Sequence, residues 1–393
     1  MKILMINVVC GIRRTGRMCT DLASVLEEQG HEVKIAYGRE NVPEQFQKYA
    51  VRIGNDRDVK LHGGKARVLD GAGFGSRQAT IRFIEWVKKF EPDVIHLHNL
   101  HGYYIHMEIL FEYLRNCGKK IIWTLHDCWS FTGHCVYFDY AGCGKWKTGC
   151  GKCPQKKEYP SCIGLGASKR NYQRKKSLFT GIPSLTLVTP SRWLSGLVKQ
   201  SFMAEYEVRV IPNGVDTKVF RSTENRLREK YKLADKKVVL GVAAVWDRRK
   251  GLEDFVKLSK RLPAEYQIVL AGVTKEQAAS LPDTMVTIEK TDNPKELAAW
   301  YTLADVFVNP TLEDNYPTTN LESIACGTPV VTYDTGGSSE SAGMFGVSVP
   351  KKDIDQLTEA VQAAGQIRPG RVNVDYRNTV KKYLEIYREM EET

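Results

Sequence analysis

Asp314 and Glu322, eight positions apart in the stretch from Thr311 to Gly337 (TLEDNYPTTNLESIACGTPVVTYDTGG), have the clearest capacity for chemistry. The apolar run 306–310 before them reads as a strand, Asp314 and Asn315 as a polar turn, the segment carrying Glu322 as a short helix, and 330–333 as the next strand. Backbone N–H groups of the turn from Asn315 to Asn320 would then gather at a helix N-terminus, where an anion or a sugar oxygen is favoured. Carboxylates beside such donors accept bonds from hydroxyls, so the pairing points to a phosphorylated polyol. An ordinary βαβ turn with a solvated acidic tip would read the same way.

Two strand-like segments carry imidazoles. His126 and Asp127 end the run that starts at Ile121, and His98, Asn99 and His101 follow the run 92–97. Alternation puts His96 and His98 on one side of their strand. His98, Asn99 and His101 would line a polar pocket for a substrate hydroxyl, or else be structural histidines satisfied in place. Consecutive side chains diverge in a strand, so Asp127 orients His126 only if the backbone turns there. Lys250 closes the basic run Arg248-Arg249-Lys250 ahead of Gly251. Cationic groups there would steady the negative charge of a departing phosphate, and a plain surface charge run is the other reading.

Four cysteines, Cys135, Cys143, Cys150 and Cys153, follow the spacing Cys-x7-Cys-x6-Cys-x2-Cys. A Cys-x2-Cys knuckle in a chain without secretory features points to metal before disulfides. Four thiolates suit a closed, structural zinc site that would order a segment poor in apolar residues. An iron–sulfur cluster or free thiols are the alternatives, and Cys128 and Cys162 are spare ligands.

Elements must hold these groups in place. The 393 residues are 42% apolar, enough for two cores and two domains. No apolar run reaches the roughly 18 to 20 residues of a membrane span. The apolar N-terminus lacks a small-residue cleavage site and reads as a buried first strand, so a cytoplasmic chain is expected. The formal charge of +11 is uneven: residues 1–200 hold 31 basic and 17 acidic side chains, the remainder 26 and 29. Nucleic acid is not expected as a partner, since no nucleic-acid-binding motif appears. An anionic membrane face fits the basic half, at about 1 kcal/mol per basic group near the surface, and simple solubility would explain it too. The run Lys169 to Lys176 (KRNYQRKK) reads as a solvated helix face, with anionic lipid or phosphate as the other reading.

A strand (3–9), a Gly- and Arg-rich loop (10–17), a helix (21–28) and a strand (33–37) form a βαβ unit, the signature of a parallel sheet with ligands at its carboxyl edge. The loop lacks the G-x-G-x-x-G spacing, so a dinucleotide is weakly supported. Strands at 237–242 and 266–272 and a helix at 295–304 repeat the rhythm. The domain boundary is expected near residue 205, with 208–212 opening the second domain (205–372) and a terminal helix over 373–392.

In these residues the chain resembles the retaining glycosyltransferases of family GT4. The resemblance rests on Ala325-Cys326-Gly327-Thr328-Pro329-Val330-Val331 after Glu322, on Lys250-Gly251, on Ile211-Pro212-Asn213-Gly214-Val215-Asp216, and on His126-Asp127. His126 to Gly133 (HDCWSFTG), followed by cysteines, is similar to a branch linked to exopolysaccharide and colanic acid assembly. Two positions depart from the family pattern. The first of its two acidic positions is Asp314, with Glu313 adjacent, and an Arg expected five residues before Lys250 is Val245. The resemblance covers nearly the whole chain, least between residues 40 and 90. It implies a GT-B fold, two Rossmann-like α/β domains facing across a cleft, with the last helix crossing back to the first domain.

The implied activity is transfer of a hexose-type sugar, with retained configuration, from a UDP- or GDP-linked donor to a hydroxyl of a glycan or lipid-linked acceptor. No catalytic metal is implied, because Lys250 and helix N-termini can neutralise the diphosphate. By the resemblance, Lys250 and Arg249 hold the phosphates with Gly16 of the first loop, Glu322 the ribose, and Asp314 the sugar hydroxyls. Asn315, Tyr316 and Thr318 complete the donor site, His126 approaches the reacting carbon, and His98, Asn99 and His101 take the acceptor side. A phosphorylase of the same fold, or a nucleotide-sugar-binding partner without turnover, are the other functions this pattern permits. Peripheral contact with the inner membrane face would follow from a lipid-linked acceptor.

Overall fold

The computed structural model describes residues 1–289, 291, 293–367, 369–370 and 373–389. Its contacts divide the chain into two compact units, Met1–Ile211 with Val380–Thr393, and Pro212–Thr379. Residues 390–392 of the expected terminal helix lie outside the described residues.

The first unit is built on seven parallel strands: β1 (Lys2–Asn7), β2 (Glu32–Tyr37), β3 (Ala50–Arg52), β4 (Val94–Leu97), β5 (Lys120–Thr124), β6 (Leu185–Thr189) and β7 (Val208–Val210). They lie in the order β3-β2-β1-β4-β5-β6-β7. Helices α1 (Arg13–Glu28), α2 (Asp56–Leu69), α3 (Arg77–Phe90), α4 (Met107–Asn116), α5 (Ser168–Phe179) and α6 (Arg192–Val198) supply the crossovers. The central strands are apolar on both faces, as a sheet covered on both sides requires. Phe111, Trp123 and Phe179 nest against one another with ring centroids 4.4 to 5.4 Å apart. Burying each such ring contributes about 1.5–3 kcal/mol.

The second unit has six parallel strands: β8 (Lys237–Val242), β9 (Tyr266–Ala271), β10 (Val286–Ile288), β11 (Val306–Asn309), β12 (Val330–Tyr333) and β13 (Gly346–Val349), in the order β10-β9-β8-β11-β12-β13. Around it run α7 (Leu227–Lys230), α8 (Leu252–Ser259), α9 (Lys275–Ser280), α10 (Pro294–Leu303), α11 (Thr318–Ala325), α12 (Ser338–Ala342) and α13 (Ile354–Ala364). The last helix, α14 (Tyr376–Glu389), belongs to the first unit from Val380 onward. There Tyr387 Oη lies 2.6 Å from His96 Nδ1 and Tyr383 Oη 2.9 Å from Thr124 Oγ1.

In both sheets the strand order reverses between two central strands, β1 and β4 in one, β8 and β11 in the other. The carboxyl ends of such strands are where doubly wound sheets bind ligands. Every candidate residue except the cysteines follows one of those strands or their neighbours.

The structure differs from the sequence expectation at three places. Strand β7, expected to open the second domain, pairs with β6 through Leu187–Val208 and closes the first sheet, so the boundary moves past Ile211. The first loop is shorter than its composition implied, because α1 already begins at Arg13. Gly16 is therefore a helical residue, and a β-carbon there would stand 3.0 Å from the Val9 side chain. Gly11, with φ of +72°, makes the turn instead. Strand β5 ends at Thr124, which leaves His126 and Asp127 on the loop beyond it.

Candidate functional site

In the second unit, the loops after β8 and β11 meet. Lys250 lies in a short 3-10 turn, Arg248–Lys250, whose first backbone donor is capped by Asp247: the Arg249 N–H donates to Asp247 Oδ1 at 2.9 Å. Gly251 follows with φ of +72°, and a β-carbon on it would fall 2.3 Å from the Pro310 carbonyl oxygen. Only glycine lets the two loops come this close. Leu312 N–H donates to Arg249 O at 2.7 Å across the same contact.

This approach places Lys250 Nζ 2.7 Å from Asp314 Oδ2. The pair is partly buried, with side chains 27% and 10% exposed, so solvent screens it less than a surface pair. Asp314 is fixed through its backbone, since Gly337 N–H donates to its carbonyl at 3.3 Å and Gly336 packs against that carbonyl too tightly for any side chain. Arg249 is engaged as well, its guanidinium donating to Asp247 Oδ2 at 2.7 Å. Val245, where the family pattern has Arg, is exposed.

Glu322 stands on α11 with both carboxylate oxygens held. Tyr301 Oη donates at 3.1 Å to one and Thr318 Oγ1 at 3.2 Å to the other. Such bonds lock the rotamer of the carboxylate. Beneath it Asn320 is fully buried: it accepts from Asn309 Nδ2 at 2.8 Å and donates to Ser341 Oγ at 2.9 Å. This network ties the start of α11 to β11 and α12, and so fixes the turn holding Asn315, Tyr316 and Thr318. Tyr301, Asn309 and Asn320 carry no motif of their own, and only the buried-polar bookkeeping of a folded chain exposes them.

In the first unit, imidazoles gather at the ends of β4 and β5. His98 Nδ1 lies 3.2 Å from His126 Nε2, and their rings stack at 5.4 Å. Burial drives the His126 imidazole down to about 4 and His98 well below its ordinary value, so both are neutral near pH 7. His98 Nε2 is buried with no bonding partner. His96 is a structural histidine, satisfied by Tyr387 and by Thr124 at 2.8 Å.

Asp127 does not orient its neighbour His126. It bonds His101 Nε2 at 2.8 Å, while Tyr159 Oη stands 3.1 Å from the other ring nitrogen. Burial raises the Asp127 carboxyl, but His101 and the Trp129 N–H, which donates at 2.9 Å, outweigh it and hold the group below its usual range. Asn99 is held by its backbone: its N–H donates to Asn7 at 3.3 Å and its carbonyl accepts from Tyr104 Oη at 2.8 Å. Arg14, in the first turn of α1, adds to burial in pressing His126 downward.

The expected zinc site finds no support. Among the described residues no three His, Cys, Asp or Glu side chains are arranged to hold a metal ion. Cys135, Cys143, Cys150 and Cys153 do line one cavity of about 10 Å³. Three of their sulfurs are engaged locally: Cys135 and Cys153 bond each other, and Gly133 N–H donates to Cys150 Sγ at 3.2 Å. Cys128 and Cys162 do not reach that cavity, and Cys162 Sγ turns to the Val68 carbonyl at 3.8 Å. The basic run on α5 is not wholly solvated either. Lys175 is buried, donates to Trp129 O at 2.6 Å and to Thr132 O at 3.1 Å, and is pulled down to about 7 by desolvation. It fastens the cysteine segment to the helix.

Comparison with known proteins gives a consistent picture. The family model "Glycosyltransferase Family 4" matches residues 15–219, and "Glycosyl transferases group 1" matches residues 236–365. A protein of Escherichia coli (strain K12), assigned to colanic acid biosynthesis as the glycosyl transferase WcaC, is 24% identical over 374 residues, 91% of this chain and 90% of that protein. An MMP alpha-(1->4)-mannosyltransferase of Mycolicibacterium hassiacum is 27% identical over 198 residues, 47% of this chain and 46% of its own. Among solved structures, sucrose-phosphate synthase from Thermosynechococcus elongatus has a TM-score of 0.70 at 16% identity, covering 100% of this chain and 99% of that one. Anabaena Alr3699/HepE in complex with UDP-glucose has a TM-score of 0.64 at 14% identity, covering 99% of each chain. At these identities the structural likeness shows the fold, GT-B.

Proposed function

The chain belongs to glycosyltransferase family 4, and on that premise we propose that it moves a hexose from a nucleotide-sugar to a hydroxyl acceptor with retained configuration. The observation that carries this reading is the contact of Lys250 with Asp314 at the point where the second sheet reverses its strand order. A lysine poised there is a preformed countercharge for a diphosphate leaving group, and charge that is already in place costs no reorganisation in the transition state. Asp314, one contact away, is positioned to accept from sugar hydroxyls once the lysine shares its charge with phosphate.

Glu322, with its two oxygens anchored, takes the ribose diol. Arg249 supplies the second cation that relatives draw from the position of Val245. Asn315, Tyr316 and Thr318 line the donor turn, and Gly16 lets α1 start close to the first strand. On the acceptor side, neutral His126 meets the sugar near the reacting carbon, while His98, Asn99 and His101 receive the incoming hydroxyl. Exopolysaccharide assembly, with a UDP- or GDP-linked donor and a glycan or lipid-linked acceptor, is the process this chemistry fits. The colanic acid assignment of the Escherichia coli relative supports it.

Incubation with UDP- and GDP-linked hexoses, with release of nucleoside diphosphate as the readout, tests the proposal. Release with one of these donors, and transfer of the sugar with unchanged anomeric configuration, is the expected result. Turnover that demands inorganic phosphate would make the chain a phosphorylase, and tight donor binding with no turnover would make it a binding partner. Either outcome overturns the reading.

A further inference from the structure

Helix α2 packs Val59 and Ala66 inward but turns its other large apolar residues to solvent. His62 and Ala66 face the core, whereas Leu61, Val68 and Leu69 are 67%, 53% and 60% exposed. With Lys65 they fall at i, i+4, i+7 and i+8, one continuous stripe on the solvent face of a helix. A surface helix of a domain that meets only water shows the reverse pattern.

The stripe continues onto the segment that follows the cysteines. Ile163 is 70% exposed and Leu165 fully so. This loop is pinned to the end of α2: Ile163 N–H donates to Arg67 O at 2.8 Å, and a β-carbon on Gly164 would fall 2.0 Å from the Val68 carbonyl oxygen. Arg170 donates to Leu69 O at 3.4 Å, and Lys156 Nζ to Gly164 O at 2.6 Å, which props the loop outward. Of the eight exposed large apolar side chains among the described residues, these five share one face. Scattered apolar residues need no explanation, but a contiguous patch marks an interaction surface.

Cations surround it. Lys65, Arg67, Lys152, Lys157, Lys169 and Arg170 are exposed about the patch, against the exposed Glu158. Asp70 is buried, with its carboxylate committed to His134 and to the Ala167 N–H. A groove of about 710 Å³ beside Leu165 carries Lys152, Lys156, Lys169 and Arg170. Apolar tips ringed by lysine and arginine, with a headgroup-sized cationic groove alongside, match the layered chemistry of an anionic bilayer surface. An acidic protein partner would satisfy the cations but leave Ile163 and Leu165 without an apolar layer to enter.

We propose that this face, formed by the exposed stripe of α2 and the loop 159–165, docks the protein on an anionic lipid surface, with Leu69, Ile163 and Leu165 entering the acyl boundary. The same loop carries Tyr159, whose hydroxyl touches His101. Lipid contact and the acceptor-side imidazoles are thereby linked through a few residues of one segment. The docking is independent of the donor chemistry proposed above, because it is measured with no nucleotide present.

The test is flotation of the full chain with vesicles of phosphatidylcholine, alone or mixed with phosphatidylglycerol. Binding to the mixed vesicles is expected, weaker by about tenfold or more without the anionic lipid. An Ile163→Glu/Leu165→Glu variant should lose about tenfold or more of the remaining affinity, since it removes the apolar anchor. Both positions are solvent-exposed, and an unchanged thermal midpoint certifies the fold. An independent Lys169→Glu/Arg170→Glu variant should lose the anionic preference. Failure of the wild-type chain to float, or equal binding by the Ile163/Leu165 variant, overturns the proposal. So does a wild-type dimer in sedimentation that this variant dissociates, which would give the face to a second copy of the chain.

Discussion

In the first unit, the loops beyond β4 and β5 hold imidazoles that burial keeps neutral. In the second, the segments beyond β8 and β11, helix α11 included, hold the basic Lys250 and Arg249 and the acidic Asp314 and Glu322. The two sheets share one strand order, so backbone topology puts both sets at the carboxyl edge of the strands. What differs, on the proposed function, is what each loop must face. A diphosphate needs fixed cations and a sugar needs fixed carboxylates, and charge–charge pairing preorganises both. A hydroxyl acceptor needs a group that can take or share its proton, and an imidazole held neutral does that without adding a second charge to the loop. The fold thus supplies the address, and loop composition supplies the chemistry.

The sharpest way to break this contrast is to remove charge from the second unit. Lys250→Ala should lower turnover by about 100-fold or more, the scale of losing one preorganised electrostatic contact. A loss of less than about threefold would show that the lysine only steadies Asp314. In the first unit, Asp127→Asn keeps the shape of the cap on Trp129 but takes the carboxylate away from His101 Nε2. Turnover should fall by about tenfold, less than the roughly 100-fold or more that losing an acid–base group outright costs, because the imidazole is displaced and not removed, while affinity for the nucleotide stays unchanged. If nucleotide affinity falls in parallel, the separation of the two sites is wrong.

A smaller effect follows from neutral burial itself. His96 and His126 sit at about 3 and about 4 in the folded chain, and the unfolded chain titrates near 6.5. The unfolded state therefore binds more protons below that value, and stability is lost as pH falls from about 6.5 toward 4. The thermal midpoint should drop across that window. Tyr387→Phe, which strips His96 Nδ1 of its partner, should cost about 1–3 kcal/mol at pH 7. A midpoint flat between pH 7 and 5 would contradict the buried, neutral state of these rings.

Much of the second site could be read from sequence because its signals are local. Glu322 sits within a recognisable strand-to-helix unit, and Lys250 precedes a glycine that must be glycine. The first site was only half legible. His126 and His98 stood out by type and alternation, but the pairing of Asp127 with His101 joins loops 26 residues apart, and Tyr159 comes from farther still. No periodicity records such contacts. Strand β7 is three half-buried residues, too short to show alternation, which is why the boundary was placed early. Helix α1 starts without a side-chain cap, so its first turn looked like loop. Lys175 was hidden in a run of like charges, and the inverted face of α2 contradicts the rule by which helices are found.

The central claim is that the loops after β8 and β11 grip a nucleoside diphosphate. Calorimetric titration of the full chain with UDP and with GDP, repeated on Lys250→Ala, tests it most directly. Saturable binding of one of the two at a single site is expected, with a loss of at least about tenfold in the variant, one contact to a charged group. Absence of binding by either nucleotide, or equal affinity in both proteins, would contradict it.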